Sequence, residues 1–415
     1  MLSKQKSGST ASIVNFMRDP ATIRQRAHMI LDLAHKDSLD HFQICQDKFD
    51  ETAGLIAETI RTNYPDLDVP YHSRWRHFET GGIDRWQTLK PKLPQDIAEQ
   101  SRIAIDLAVI SVLLDAGAGS KWLYTEADHN ITIGRSEGLA LASFHMFCDG
   151  VFSSNPNNPY QVDSHALKNL NKERLIAGFQ ISQDNPMTGL EGRIDLVIAL
   201  ANALEKHPNL FGKHYIRPGN LFDTLTDHQK STSIKAKDIL KCILTGFSDI
   251  WPGRTSLEGE NMGDVWYHSK LAFDDQTNQL MPFHKLSQWL TYSLLEPFEW
   301  ADISVYDLND LTGLAEYRNG GLFVDSGLLK LKNSHAITQT HSPDSELIVE
   351  WRALTVALLD EMRLPVADIL GISADRFPLA KLLEGGSWAA GRKLAFKRDP
   401  EGNPPIQIKS DGTVF

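Results

Sequence analysis

The stretch FHKLSQWLTYSLLEP, beginning at Phe283, carries residue types that hold and transform small charged molecules. At about 100° per residue, Phe283, Leu286, Leu290 and Leu294 fall on one stripe of a helix. Lys285, Gln288, Trp289, Tyr292 and Glu296 fall on the opposite stripe. The first is an ordinary core face. The second places a cation, an amide, two aromatics and a carboxylate where a surface helix would carry several lysines and glutamates. Downstream, LTGLAEYRNGG brings Glu316, Tyr317 and Arg318 together just before two glycines that let the backbone approach something closely. Glu350 and Arg352 interrupt the otherwise apolar LIVEWRALTVALLD, and Trp351 and Trp388 add flat surfaces. Cations and carboxylates in such settings form either a buried ion-pair lattice or a closed pocket for a small, planar, phosphorylated ligand. Composition leaves both open.

Other chemistry-bearing stretches say less. RSEGLALASFHMF reads as a helix start, with Ser136 as N-cap and Glu137 in the first turn beside the helix dipole. Capping accounts for both residues, and a substrate role for Glu137 is the alternative. Gly117 and Gly119, followed by Ser120 and Lys121, are in the wrong order for a phosphate loop and follow a helix where a strand is required. A helix C-cap is expected there. His72 and His77 are five residues apart, a poor helical spacing for metal ligands, and no acidic residue joins them locally. There is no HExxH and no GxSxG. No metal site and no cofactor is expected.

These residues must be positioned by helices. Apolar residues recur with period 3.6 in VNFMRDPATIRQRAHMILDLA and FDETAGLIAETIRTNY, and again over 96–115, 136–148, 164–177, 192–206, 235–248, 283–296, 346–362 and 378–394. Few segments alternate with period two. The fold class expected is mainly α. The 415 residues suffice for two average domains, yet no joint is long and biased enough to be a linker, so one helical domain over 12–415 is expected after a disordered 1–11. IAIDLAVISVLL and LIVEWRALTVALLD are apolar on nearly all sides, which puts helices 103–114 and 347–359 at the centre. Their ionisable residues, Asp106, Glu350 and Arg352, must find partners there. The tail NPPIQIKSDGTVF reads as a short extended arm.

Composition bounds the partners. Hydrophobic residues make up 41% and charged residues 23%, as in a globular protein with a sizeable core. A formal charge of −11 argues against a nucleic-acid partner. The longest apolar run, from Ile103, is broken by Asp106 and Asp115 and is too short for a bilayer, so no membrane association is expected. Cys45, Cys148 and Cys242 form no CxxC pair, and MLSKQKSGST lacks an apolar h-region. A cytoplasmic protein is expected.

Beyond these readings, RSEGLALASFHMF, NPMTGLEGR, RPGNLFDTL, PFHKLSQWLTYSLLEP, LTGLAEYRNGGLFVDSG, VEWRALTVALLD, LEGGSWAAGR and SDGTVF resemble a fungal and bacterial uracil-catabolism family long described as a domain of unknown function. The likeness runs from about Ser12 to Phe415. It implies as partners a uracil phosphoribosyltransferase and a cyclohydrolase II-like protein, in a route from uracil through its nucleotide to urea. More distantly, Phe283–Gln288 and Leu311–Arg318 resemble the F-Y-K-R-A-Q and L-T-x-F-A-D-Y-R patterns of queuosine 5′-phosphate N-glycosidases, which are all-helical and related to helix-hairpin-helix DNA glycosylases. Glu316 stands where that family has Asp, and Asn319-Gly320 where it has Pro-Gln.

Together the resemblances imply an N-glycosidase that releases urea from a ribosylurea 5-phosphate type of compound, a small phosphorylated ribosyl substrate. On this reading Glu316 is the catalytic carboxylate, with Glu350 paired to an active-site arginine as the second catalytic candidate. Lys285 and Arg318 hold the phosphate. Gln288, Trp289, Tyr292, Tyr317, Arg352, Glu137 and Trp388 complete the substrate-binding set. A ureido amidohydrolase and a non-enzymatic scaffold of the same pathway are the alternatives.

Overall fold

A computed structural model of the chain describes residues 10–115, 117–119, 121–251 and 255–409. Helices dominate, as the 3.6-residue periodicity requires, and the described strands are limited to two-stranded pairs. The mainly α reading is borne out. Helices form at Ile97–Leu113, Arg135–Cys148, Leu190–Lys206, Ala236–Gly246 and Lys285–Glu299, close to the expected spans, and Glu346–Leu370 runs eight residues past its expected end, through Pro365. Local chemistry sets several starts. Asp19 caps Pro20–His35 by accepting the Ala21 N–H, and Asp96 caps Ile97–Leu113 by accepting that of Ala98.

Three expected spans are subdivided or shifted. The 164–177 span breaks into Ser164–Lys168 and Lys172–Gly178, because the Asn171 side chain caps the second helix from the Arg174 N–H. The 378–394 span contains a π-helical turn, Leu383–Ser387, between Leu379–Leu382 and Trp388–Arg398. Ser136 is not the N-cap expected of it. The helix starts one residue earlier with Gly134 as cap, where Arg135 takes a left-handed φ of 56°.

The described chain packs as two compact units. Of the described residues, the first draws on 10–71, 255–285 and 308–409, the second on those within 72–251 and 286–307. The chain passes between them repeatedly, once inside the Lys285–Glu299 helix, so no linker marks a boundary.

In the first unit the Glu346–Leu370 helix is central and packs against Pro20–His35, Phe49–Asn63 and Tyr317–Asp325. Ile348, Val349, Ala353, Leu354, Ala357 and Leu359 on it are wholly buried. The close approach foreseen for Gly320 and Gly321, which lie within the Tyr317–Asp325 helix, is made to the central helix: a Cβ on Gly320 would meet Trp351 and Thr355 at 2.9 Å. The tail contributes Gln407–Ile408, which pairs in parallel with Thr340–His341. Ser410–Phe415 and residues 1–9 lie outside the described residues, and Thr10 begins the first helix.

In the second unit the Ile97–Leu113 helix is central and packs against Arg74–Phe78, Arg135–Cys148 and Leu190–Lys206. Its one buried carboxylate, Asp106, finds the partners that burial demands. Arg217 approaches at 2.6 Å through Nη2 and donates from Nε at 2.7 Å, and the N–H groups of Gly219 and Val162 donate at 2.6 and 3.1 Å. Among the described residues no helix is long and apolar enough to cross a membrane.

Candidate active site

The first unit contains Lys285, Glu316, Tyr317, Arg318, Glu350, Arg352 and Trp388. Arg352 organises four segments of it. The guanidinium clamps Asp264 through two parallel bonds, Nη1 to Oδ1 at 2.7 Å and Nη2 to Oδ2 at 2.8 Å, and Nε donates to the Ala315 carbonyl at 3.1 Å. Its flat face lies 4.0 Å from the centroid of the Phe283 ring. Asp264 in turn accepts the backbone N–H of Lys285 at 2.9 Å and the Trp266 indole N–H at 2.6 Å. These donors, Arg352 foremost, overcome burial and hold the Asp264 carboxyl well below its ordinary range. One buried cation thus ties the residue preceding Glu316 to the carboxylate that receives the first N–H of the Lys285–Glu299 helix.

Glu316 stands at the N-terminus of the Tyr317–Asp325 helix and caps it. Its two oxygens accept the N–H groups of Arg318 and Asn319, each at 2.6 Å. A carboxylate held at a helix N-terminus gains from the dipole as well as the hydrogen bonds. Arg318 is buried, donates from Nη1 to the Gly402 carbonyl at 2.8 Å and stacks 5.0 Å from the Tyr317 ring. Trp388 carries Arg392 over its ring at 5.4 Å. The short helix is locked further by Ser387, which donates to Asn319 Oδ1 at 2.7 Å, and by Gly391, where any Cβ would overlap the Arg318 carbonyl. His284, at φ 48°, holds the turn into the Lys285–Glu299 helix. Burial lowers its pKa to about 4, so the neutral ring donates from Nε2 to the Met17 carbonyl at 3.0 Å.

Glu350 does not pair with the arginine as expected. Positions 350 and 352 are about 200° apart around a helix, so their side chains point to opposite sides. Glu350 accepts the Phe42 N–H at 2.8 Å and the His41 N–H at 3.2 Å, and His268 lies 3.4 Å away. It anchors the start of the Phe42–Ile44 strand. Glu350→Gln keeps an acceptor and loses the charge, so it is expected to lower stability by about 1.5–3 kcal/mol with turnover near normal. Chemical denaturation alongside an activity assay checks both. Loss of turnover without loss of stability would return Glu350 to the chemistry.

The second unit contains Glu137, Gln288, Trp289 and Tyr292. Gln288 and Tyr292 are fully buried, while Lys285 and Glu296 at the two ends of the polar stripe are half-buried. Glu296 on the same stripe is held by Ser73 at 2.7 Å and Arg76 at 2.6 Å, and burial pushes its carboxyl up to about 7. Trp289 sits against an unforeseen polar cluster. Arg74, completely buried, lies 5.7 Å over its ring, and the His77 ring is edge-on at 5.7 Å. Arg74 pairs with Asp115 at 3.1 Å, donates to Ser111 at 2.7 Å and reaches the Ser136 carbonyl at 3.3 Å, next to Glu137. Burial, reinforced by Arg74, lowers the His77 pKa to about 4. Of the histidines weighed as a metal pair, His77 serves this cluster, and His72 is close enough for its charge to act on it.

Sequence reasoning missed Asp264, Arg74 and Asp115. Asp264 follows a glycine ahead of a three-residue strand, where no periodic pattern singles it out. Arg74 lies in YHSRWRHF, and its neighbour Arg76 looks equivalent in sequence.

Residues 16–415 match the family described as "Protein of unknown function (DUF1688)". The chain belongs to this family. It is 41% identical over 401 residues to "Protein urg3" of Schizosaccharomyces pombe, covering 95% of this chain and 96% of that protein. It is 37% identical over 437 residues to "Uracil catabolism protein 4" of Lachancea kluyveri, covering 97% and 99%. The family match takes in both units and each of the segments that Arg352 joins.

Proposed function

We propose that this family member acts in uracil catabolism as a cytoplasmic N-glycosidase, hydrolysing a ribosylurea 5-phosphate type of compound to urea and ribose 5-phosphate. The name of the Lachancea kluyveri relative supports the pathway. One observation carries the chemistry. Of the stretches that resemble nucleoside 5′-phosphate N-glycosidases, Phe283–Lys285 and Leu311–Arg318 are joined in the first unit through the Arg352–Asp264 clamp. The backbone just before Glu316 and the backbone of Lys285, distant in sequence, are thereby tied to one ion pair.

Cleavage of the C1–N bond leaves its electron pair on the urea nitrogen and positive charge on the ribosyl ring. Glu316, immobilised as a helix cap, stabilises that oxocarbenium-like charge and orients the attacking water. Water adds to C1, and its proton balances the nitrogen of departing urea. Lys285, with Arg318, binds the 5-phosphate, so that binding energy remote from C1 positions the sugar. Upstream, a reaction that opens the pyrimidine ring of the nucleotide supplies the substrate.

Lys285→Ala is expected to weaken binding of ribosylurea 5-phosphate about ten- to a hundredfold, the loss of one charge-assisted contact. Binding of the dephosphorylated analogue should barely change. Calorimetric titration of both ligands checks this, and equal weakening of both would remove Lys285 from the phosphate site.

A further inference from the structure

One corner of the second unit brings together two buried hydrogen-bond donors that lack an acceptor among the described residues. Arg74 Nη2 and Trp289 Nε1 are shielded from solvent and have no acceptor among the described residues. Arg74 is 0% exposed and Trp289 7%. Burying such donors unmet is costly, so they mark a place where an acceptor belongs. Both belong to one corner, since the guanidinium lies 5.7 Å from the Trp289 ring and His77 abuts the same ring at 5.7 Å.

The charges around this corner select the acceptor. Asp115 pairs with Arg74, and Glu137 is close enough for its charge to act on both Arg74 and His77. His77 is neutral near pH 7, with its pKa lowered to about 4. Arg193, wholly buried, also acts on Asp115, so two guanidiniums balance two carboxylates and the corner holds no net positive charge for an anion. A neutral group that accepts at its oxygen and donates from adjacent nitrogens suits the corner better.

We infer that Arg74 and Trp289 receive the carbonyl oxygen of a ureido or carboxamide group, whose N–H donors are taken by Glu137 and Asp115. Side chains that accept next to side chains that donate are the complement of O=C–NH₂, as recognition of an amide in a dry site demands. The inference stands on this cluster alone and survives failure of the glycosidase reading.

Titration of the full chain with N-methylurea, acetamide and acetate, followed by NMR at the Trp289 indole N–H, tests it. That resonance is identified by its loss in Trp289→Phe. N-methylurea and acetamide are expected to shift it saturably, with at least tenfold higher affinity than acetate. A stronger response to N-methylurea than to acetamide assigns the ureido group, and the reverse assigns a carboxamide. Trp289→Phe keeps an aromatic face, smaller than the indole, and removes the donor, so N-methylurea affinity by equilibrium dialysis should fall about three- to tenfold. Arg74→Lys should lower it at least tenfold. A linear, unsaturating shift, acetate binding as well as the amides, or unchanged affinity in Trp289→Phe would overturn the assignment.

Discussion

Glu316→Gln is expected to cut turnover of ribosylurea 5-phosphate by at least ~10²-fold while leaving ligand affinity within a few fold, because the amide keeps the shape and removes the charge. The cap geometry refines this expectation. Both carboxylate oxygens accept N–H groups, from Arg318 and Asn319, and the amide can accept with only one. A cap loss of about 1 kcal/mol should therefore accompany the kinetic defect. The two effects separate in Glu316→Asp, which keeps the charge one methylene short and matches the residue of the distant glycosidases. It should retain more turnover than the amide despite similar destabilisation. Turnover that tracks stability across both variants would mean that Glu316 is a cap and nothing more.

Asp264→Asn is expected to destabilise the protein by about 3–5 kcal/mol, since it leaves the guanidinium of Arg352 buried opposite a neutral amide. Arg352→Met should cost a similar amount by orphaning Asp264. The double variant should recover part of the loss, because the pair rather than either residue carries the energy. Urea denaturation of the three variants measures the cycle. The pair also fixes a direction in pH. The Asp264 carboxyl is depressed below its ordinary value of 3.8 in the folded chain, so the stability it contributes is complete above that value. That contribution falls away as pH drops further toward the folded pKa. Asp264→Asn should flatten this acid limb, and single changes costing under about 1 kcal/mol would show that the clamp is dispensable.

Much of the scaffold was legible because helices write their burial into a 3.6-residue period. IAIDLAVISVLL and LIVEWRALTVALLD both proved central, each in its own unit, and Asp106, Glu350 and Arg352 all found partners inside. Which partner was not legible. Glu350 and Arg352 are neighbours in sequence, but helix geometry sends them apart, and their contacts come from segments that periodicity does not describe. Asp264 lies between short strands, and Arg74 in a five-residue helix too short to show a period. The polar stripe of the Lys285–Glu299 helix is visible in sequence as a departure from a surface face. Lys285 joins one unit and Trp289 the other, a division that the unbroken helical pattern hides.

The measurement that bears most directly on the central claim is product identity. The purified chain is incubated with ribosylurea 5-phosphate, and urea, ribose 5-phosphate and ammonia are quantified together, with Glu316→Gln in parallel. Cleavage at C1 predicts urea and ribose 5-phosphate in equal amounts, no ammonia, and at least ~10²-fold slower release from the variant. Ammonia in place of urea would mean that the ureido bond is attacked instead, and a bound but unchanged ligand would mean that the protein carries this compound without cleaving it.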